Sequence, residues 1–200
     1  MKTLRLLLLA SCMLVAFGTV RATTVIPPSF DELVTQAELI FQGTVTDVRS
    51  EWVGEGGQRH IVSYVTLKVE DQIKGNPGAT YTVRLLGGTV GDQTMEVSDS
   101  PKFKIGDRDI LFVEHNGTQF IPLVGIMHGR FRVVRDDTTG TEIVKSDKGE
   151  KVTDLAQLGK EKHAAEANSA NAADAGRAGQ ALGAASFKSA IRARLNRNAP

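Results

Sequence analysis

Cysteine is nearly absent from this sequence: Cys12 is the only one among its 200 residues. A single thiol near the N-terminus excludes disulfides, thiolate metal sites and a cysteine nucleophile from the rest of the chain. Stability must therefore come from a hydrophobic core. A body of about 135 residues is long enough to build one, since a domain of that size buries roughly two-thirds of its unfolded surface.

Motifs of catalytic and cofactor sites are also lacking. No G-x-S-x-G segment is present to hold a nucleophilic serine. The glycine-rich segment 87–91 lacks the lysine and the helix start of a phosphate loop, and we interpret it as a flexible loop. No two of the four histidines are spaced along the chain like the ligands of a metal site. They are His60, His115, His128 and His163. We therefore predict no catalytic residue, no cofactor and no metal, and a protein that is not an enzyme.

Acidic residues between positions 92 and 109 are the one set that keeps an enzymatic alternative open. Carboxylate pairs act as acid and base in some hydrolases, and carboxylate oxygens bind calcium. The spacing does not match a calcium loop, and a solvated acidic face is the more usual outcome. The residues concerned are Asp92, Glu96, Asp99, Asp107 and Asp109.

The sequence has no apolar run long enough for a transmembrane helix, which needs about 20 residues. The apolar run at 6–20 follows Lys2 and Arg5 and ends just before a small-residue site, as in secretory signal sequences. We predict cleavage after Ala22 and a secreted or periplasmic protein. The segment Leu-Ala-Ser-Cys that ends at Cys12 also fits a lipoprotein site, but the apolar run continues well beyond it.

Positive charge is concentrated at the two ends of the chain. The formal net charge is only +1, because 1–22 and 160–200 are basic whereas the body at 23–159 is acidic. Domains that bind nucleic acid present a basic surface, so the acidic body argues against nucleic acid as a partner.

Two neighbouring segments alternate apolar and polar residues with the period of two that indicates half-buried antiparallel strands. They are 61–73 and 79–85, and turn residues at 74–78 join them. The strand before them, 39–48, changes parity near its end, which predicts a β-bulge near Asp47.

Further strands and one helix complete the predicted body. Residues 30–37 should form a short helix, because Ser29 and Glu32 have the spacing of a capping box. Residues 108–114 are apolar on both faces, which indicates a strand covered on both sides. Other strands are expected at 94–97, 120–124, 130–135 and 141–145, with Asn116-Gly117 as a hairpin turn. Without crossover helices, the fold class is all-β and antiparallel, either a barrel or a sandwich.

The C-terminal part of the chain differs from the body in composition. Residues 160–185 are rich in Ala, Gly, Asn and Ser and are predicted to be a disordered linker. In the tail 186–200, Phe187 and Ile191 recur at helical spacing among basic residues, which predicts an amphipathic helix over 186–196. So short a helix needs a surface to dock on. Either an anionic membrane or the acidic body itself would provide this surface. This helix is the only part of the protein that we expect to contact a membrane.

Four residues are candidates for a binding surface: Trp52, Gly88, Met95 and His128. Trp52 lies in a predicted loop, and Met95 lies in the long connection that carries the short strand 94–97. Large exposed side chains in such segments are over-represented at binding surfaces. Such residues also plug the ends of barrels, and both interpretations stay open. Gly88 belongs to the glycine-rich segment, and His128 lies just before the strand at 130–135.

Several segments together resemble an uncharacterised group of exported bacterial β-proteins. They read LIFQGTVTDV, YVTLKVEDQIKG, FKIGDRDILFV and GIMHGRFRV, together with the glycine-rich loop at 87–91, and they fall within residues 30–135. The strand followed by Lys-Gly at 65–75 is also similar to the OB-type barrel of netrin-type modules and tissue inhibitors of metalloproteinases. The resemblance implies a small antiparallel OB-like β-barrel, secretion, and binding to a protease or another extracellular protein.

The chain departs from those inhibitors at its predicted mature N-terminus. They place a cysteine there to reach the catalytic zinc of the protease, whereas this chain has Thr23. The resemblance therefore implies the barrel but not the inhibitory mechanism. Our leading hypothesis is an exported, non-enzymatic protein-binding module. The alternatives are a metalloprotease-directed inhibitor or chaperone that uses 23–30, and a hydrolase that uses the carboxylates of 92–109.

Overall fold

A computed structural model of the chain describes residues 26–160 and 180–197. The predicted signal sequence 1–22, with its cleavage after Ala22 and the lipoprotein alternative at Cys12, lies outside these residues. Most of the predicted linker 160–185 lies outside them as well. Within the described ranges, no helix has the length and apolar character needed to cross a membrane.

The described residues form a mostly β structure with two α-helices, which confirms the predicted all-β antiparallel class. The helices are α1, Phe30–Gln36, and α2, Ala184–Arg197. The strands are β1 Leu39–Val53, β2 His60–Lys74, β3 Thr80–Leu86, β4 Gly88–Val90, β5 Gln93–Met95, β6 Arg108–Val113, β7 Arg130–Arg135 and β8 Glu142–Ser146. Short 3-10 turns occur at Gly56–Gln58, Ile126–Gly129 and Leu155–Gln157. Six strands form one antiparallel sheet in the order β3-β2-β1-β6-β7-β8, and β4 pairs with β5 in a separate hairpin.

Strand β1 bends through bulges, as its sequence predicted. The pairing with β2 slips between Val45 and Asp47, so that one extra residue is accommodated there. This slip returns Val48 to the face that holds Phe41 and Val45. Gly43 lies at the bend, where a Cβ atom would be only 2.8 Å from the main-chain oxygen of Lys68. A glycine is therefore required for the two strands to approach so closely.

Strand β6 is covered on both sides, as predicted, and it separates two hydrophobic cores. Ile110 and Phe112 face the helix-side core, which also contains side chains from both helices and from β7 and β8. Leu111 and Val113 face the opposite side. The members of that second core, which we call the groove-side core, are Phe41, Val45, Val65, Leu67, Val83, Leu85, Phe103, Leu111, Val113, Ile121 and Leu123.

Helix α1 is held at both ends by side chains. Ser29 and Glu32 form the predicted capping box at its N-terminus. At its C-terminus, the ammonium group of Lys74 donates to the main-chain oxygens of Val34 and Ala37, at 2.9 and 2.5 Å. These carbonyls have no partner within so short a helix, so the lysine replaces a missing turn. Burial lowers the pKa of Lys74.

Helix α2 docks on the sheet beside α1, and it begins two residues earlier than predicted. Phe187 and Ile191 are fully buried in the helix-side core. Lys188 and Arg192 bind Asp71 of β2 at 2.8 and 2.5 Å. The apolar face that was predicted to need a surface therefore packs against the acidic body. Residues 182–184 also contact β8 and the core, so the predicted linker boundary at 185 falls within packed structure.

The predicted barrel is not closed in the described part of the chain, because β3 and β8 form the two edges of the sheet and do not pair. The loop after β6 faces the edge of β3 instead. There the Asn116 amide accepts from the Arg84 main-chain N–H at 3.0 Å, and the Phe120 oxygen accepts from Leu86 at 2.7 Å. The strand predicted at 120–124 is reduced to one bridge, at Leu123. This segment includes a proline, which has no N–H to donate to a ladder.

Candidate functional site

A cavity of about 340 Å³ opens on the groove-side face of the sheet, and we call it the groove. Its floor is formed by side chains of three adjacent strands, including Val48, Val65 and Leu85. One wall is the β4–β5 hairpin, and the other is the segment 100–103. The groove is therefore a gap in the cover over the groove-side core.

Two serine hydroxyls and a glycine attach the hairpin to the floor. Ser63 donates to the main-chain oxygen of Gly87 at 2.6 Å, and its oxygen lies 2.8 Å from the hydroxyl of Ser50. Since the single Ser63 proton is used on Gly87, Ser50 is the donor between the two hydroxyls. The main-chain N–H of Gly87 also donates to Ile61 at 2.8 Å. These bonds fix the height of β4 above the sheet.

Gly88 lies against both serine hydroxyls, where the hairpin comes close to the sheet. Its φ of 137° is left-handed, and a Cβ atom there would lie 2.2 Å from the Ser63 hydroxyl and 2.5 Å from that of Ser50. Only glycine fits this position. The segment 87–91 was predicted to be a flexible loop, and this prediction is wrong for Gly88–Val90. These residues form β4, because their main chain pairs with that of β5. Such pairing does not depend on side chains, so glycine can take part in it.

The opposite wall is held by Arg130, which is 3% exposed. Its guanidinium bonds both oxygens of Asp109 at 3.1 and 3.0 Å and one oxygen of Asp107 at 2.8 Å. It also donates to the main-chain oxygen of Lys102 at 2.8 Å and lies 4.0 Å from the ring centre of Phe103. One buried cation thus positions the segment that lines the groove. Burial raises the pKa of Asp109, and the guanidinium opposes that shift.

Three of the five carboxylates considered for hydrolysis are held by cations. Asp107 and Asp109 bind Arg130, and Glu96 binds Lys102 at 2.8 Å. In the described ranges, no three Asp, Glu, His or Cys side chains are grouped so as to hold a metal ion. In this structure Asp107 and Asp109 therefore hold Arg130, and Glu96 lines a wall of the groove.

Two of the four predicted binding residues lie in the groove. Gly88 and Met95 are directly opposite each other in the β4–β5 hairpin, and both line the cavity. Trp52 was predicted to lie in a loop, but β1 continues through it because it pairs with Ile61 of β2. It shares a strand face with Ser50, and the guanidinium of Arg59 lies 4.6 Å from its ring centre.

His128 is not part of the groove. It lies in the 3-10 turn Ile126–Gly129 and lines a different cavity, of about 770 Å³, together with Pro28 and Asp147. Burial and the nearby charge of Lys148 lower the pKa of His128, whereas burial raises that of Asp147. The structure therefore separates His128 from Gly88 and Met95.

Sequence reasoning did not identify the two serines or Arg130. The serines had a detectable signal, because Ser63 interrupts the apolar face of β2 between Ile61 and Val65, and Ser50 lies at the facing position of β1. A polar residue on a buried face needs a partner, which suggests a polar contact there. Arg130 had no such signal, since the residues it binds are separated from it in sequence.

The floor of the groove is apolar, whereas its walls also carry the hydroxyls of Thr89, Thr94 and Ser100 and the exposed Glu96–Lys102 ion pair. The floor suits an apolar group, and the walls can meet polar atoms beside it. No family model, curated protein or solved structure matches this chain. Function must therefore be inferred from the groove and its surroundings.

Proposed function

We propose that this protein is an exported, non-enzymatic binding module, and that its groove holds an apolar side chain of a partner protein. The observation that carries the proposal is the gap of about 340 Å³ between the β4–β5 hairpin and segment 100–103. Ligand pockets in proteins usually begin at about 300 Å³, so a groove of this size takes one or two side chains rather than a large molecule.

The way the walls are held supports the same function. One wall depends on the Ser50–Ser63 hydroxyl pair, and the other on the buried guanidinium of Arg130. A binding surface is most effective when its shape exists before the partner arrives, because ordering flexible walls on binding reduces affinity. A cavity between two anchored walls meets that condition.

Export and the OB-like barrel belong to this proposal as well. What supports export is the pattern of residues 1–22 alone. What supports a barrel of OB type is the bulged β1–β2 pair, together with the hydrogen bonds from Asn116 and Phe120 to the edge of β3.

The test is selection of peptides from a displayed random library on the purified protein. Enriched peptides should share an apolar residue, and their affinity is then measured by fluorescence polarisation. Met95→Lys places a charge in the groove and should weaken binding by about tenfold or more, because a charged group loses hydration when an apolar side chain covers it. Gln93→Lys is the matched control, since Gln93 lies on the same strand, is exposed and does not line the groove.

Circular dichroism and thermal unfolding establish that both variants are folded. Equal affinities of the wild type and Met95→Lys for the selected peptides would contradict the proposal. So would a selection that enriches no peptide with an apolar residue.

A further inference from the structure

Among the residues that the structure describes, no strand pairs with one edge of β1 along half of its length. The strand is 15 residues long, and β2 pairs with one side of it from Ile40 to Val53. On the other side, β6 pairs only with Leu39–Thr44, and the loop before β6 bonds to Val45. Within the described residues, no strand pairs with this second edge along 46–53. An unpaired edge presents main-chain donors and acceptors to a further strand.

The two residues on either side of Ser50 complement each other when this segment is paired antiparallel with a copy of itself. The next pair outward, Asp47 and Val53, is not complementary. Arg49 then faces Glu51 of the second copy, and Val48 faces Trp52 of the second copy. Because the arrangement is two-fold, each of these pairs forms twice.

We propose that two copies of this chain associate through the β1 edges at 46–53, antiparallel, with a two-fold axis at Ser50. The two six-stranded sheets then continue into each other through main-chain hydrogen bonds. Such a dimer is isologous, since each copy presents the same edge. Val48 and Ser50 also line the groove, but the proposal requires only the edge of β1 and no ligand in the groove.

The charges on the edge favour a second copy over an unrelated strand. Charged side chains on an exposed edge ordinarily prevent pairing. Here Arg49 and Glu51 are 60% and 49% exposed and lie 3.6 Å apart in one chain. Directly opposed charges of opposite sign stabilise a strand pair, whereas like charges destabilise it. The two-fold axis brings opposite charges together twice, so the same residues that deter other strands select a copy of this one.

The opposite face of the edge adds apolar contact. Val48 and Trp52 share the strand face of Ser50, and both are partly buried. Across the two-fold axis, each valine meets the indole ring of the other copy. Pairs of an aromatic and a β-branched side chain are among the stabilising cross-strand pairs.

Sedimentation velocity over a concentration series tests the proposal with three proteins. The wild type should dimerise. Glu51→Arg places arginine opposite arginine twice, and it should weaken dimerisation by about tenfold or more. The double variant Arg49→Glu with Glu51→Arg exchanges the charges and should restore the wild-type dissociation constant. A monomeric wild type at its highest soluble concentration would overturn the proposal, and so would a dimer that Glu51→Arg leaves unchanged.

A cross-linking experiment tests the register. Cys12, the only cysteine, is first replaced by serine, and Arg49→Cys and Glu51→Cys are made separately. A mixture of the two proteins should form a disulfide-linked dimer under mild oxidation, because positions 49 and 51 face each other. Neither protein alone should cross-link comparably. Equal cross-linking in the mixture and in the single proteins would overturn the register and with it the proposed two-fold axis.

Discussion

The two faces of the sheet are built from the same strands but are closed by different elements. The helix-side face is covered by α1 and α2, which insert whole aromatic and aliphatic side chains between those of the sheet. The groove-side face is covered by loops and by the β4–β5 hairpin, whose two strands have three residues each. Strand β6 supplies alternate residues to both faces. The difference therefore arises from the cover and not from the strands.

This comparison shows how one sheet supports both stability and binding. A helix fills the space above a sheet, because its side chains project into the gaps of the layer below. The β4–β5 hairpin contacts the sheet through Gly88 and two serine hydroxyls, so it leaves space beside it. Substitutions on the helix-covered face should therefore change the free energy of unfolding, and those on the other face should also change the shape of the groove.

The largest effect is expected on the helix-side face, from Phe187→Ala. The ring is fully buried, and its centre lies 4.9 Å from that of Phe131 and 6.1 Å from that of Phe30. Its removal should lower the free energy of unfolding by about 3–5 kcal/mol in urea denaturation. Ser189→Ala, on the exposed side of the same helix, should have little effect. A loss similar to that of the control would show that α2 is not part of the core.

A somewhat smaller effect is expected from Arg130→Met, which breaks the wall of the groove. Asp109, which is 0% exposed, would lose the cation bonded to it, so we expect a loss of about 3 kcal/mol. Arg132→Met is the control, because Arg132 is 42% exposed and its distance to Asp107 is longer, at 3.5 Å. That exposed pair should contribute about 0–1 kcal/mol. Equal losses in the two variants, measured by urea denaturation, would contradict a special role for the buried cation.

Gly88→Ala should separate the hairpin from the sheet. The added Cβ atom meets two hydroxyls, and the left-handed φ is strained for alanine, so we expect a loss of about 1–3 kcal/mol. Gly91→Ala is the matched control, since Gly91 also has a positive φ of 59° but nothing within 4 Å of its Cβ position. The difference between the two variants in thermal unfolding measures the contact with the serines together with the less favourable φ of Gly88. No difference would mean that the hairpin does not rest on them.

The smallest effect concerns the charges that hold α2, and it depends on pH. Burial raises the pKa of Asp71, but Lys188 and Arg192 outweigh it and keep the pKa below its ordinary value of 3.8. The stabilisation by the carboxylate is therefore complete above 3.8 and is lost as the pH falls through the lowered pKa. Asp71→Asn should cost about 0.5–1 kcal/mol at neutral pH and progressively less below 3.8. A difference from wild type that does not shrink in acid urea titrations would contradict this.

Local patterns in the sequence were sufficient for much of the fold. The capping box of Ser29 and Glu32, the bulge before Asp47 and the double-sided burial of 108–113 are all present in the structure. Each depends on residues that are close in sequence, or on a period that one strand displays by itself. Such signals do not require knowledge of the neighbouring element.

Predictions that depended on a distant partner were less successful. Trp52 was placed in a loop, because the glycines after it suggest a turn, whereas its pairing with Ile61 extends the strand. Residues 120–124 were expected to form a strand, but they instead contribute one bridge and a main-chain bond to Leu86 of β3. In both cases the partner strand determined the outcome. The candidate site was predicted only in part. Gly88 and Met95 could be named because they meet within one hairpin, whereas Arg130 binds residues that are distant from it in sequence.

By itself, the sequence determined the strand class, the short first helix and the amphipathic character of the last one, because hydrophobic period and capping are local properties. Only the tertiary structure decided that the last helix packs beside the first, that a guanidinium from β7 holds the loop before β6, and that a glycine hairpin leaves a gap over the sheet. These features require atoms far apart in sequence to meet at specific distances, and alternation along a strand carries no information about which element will cover it.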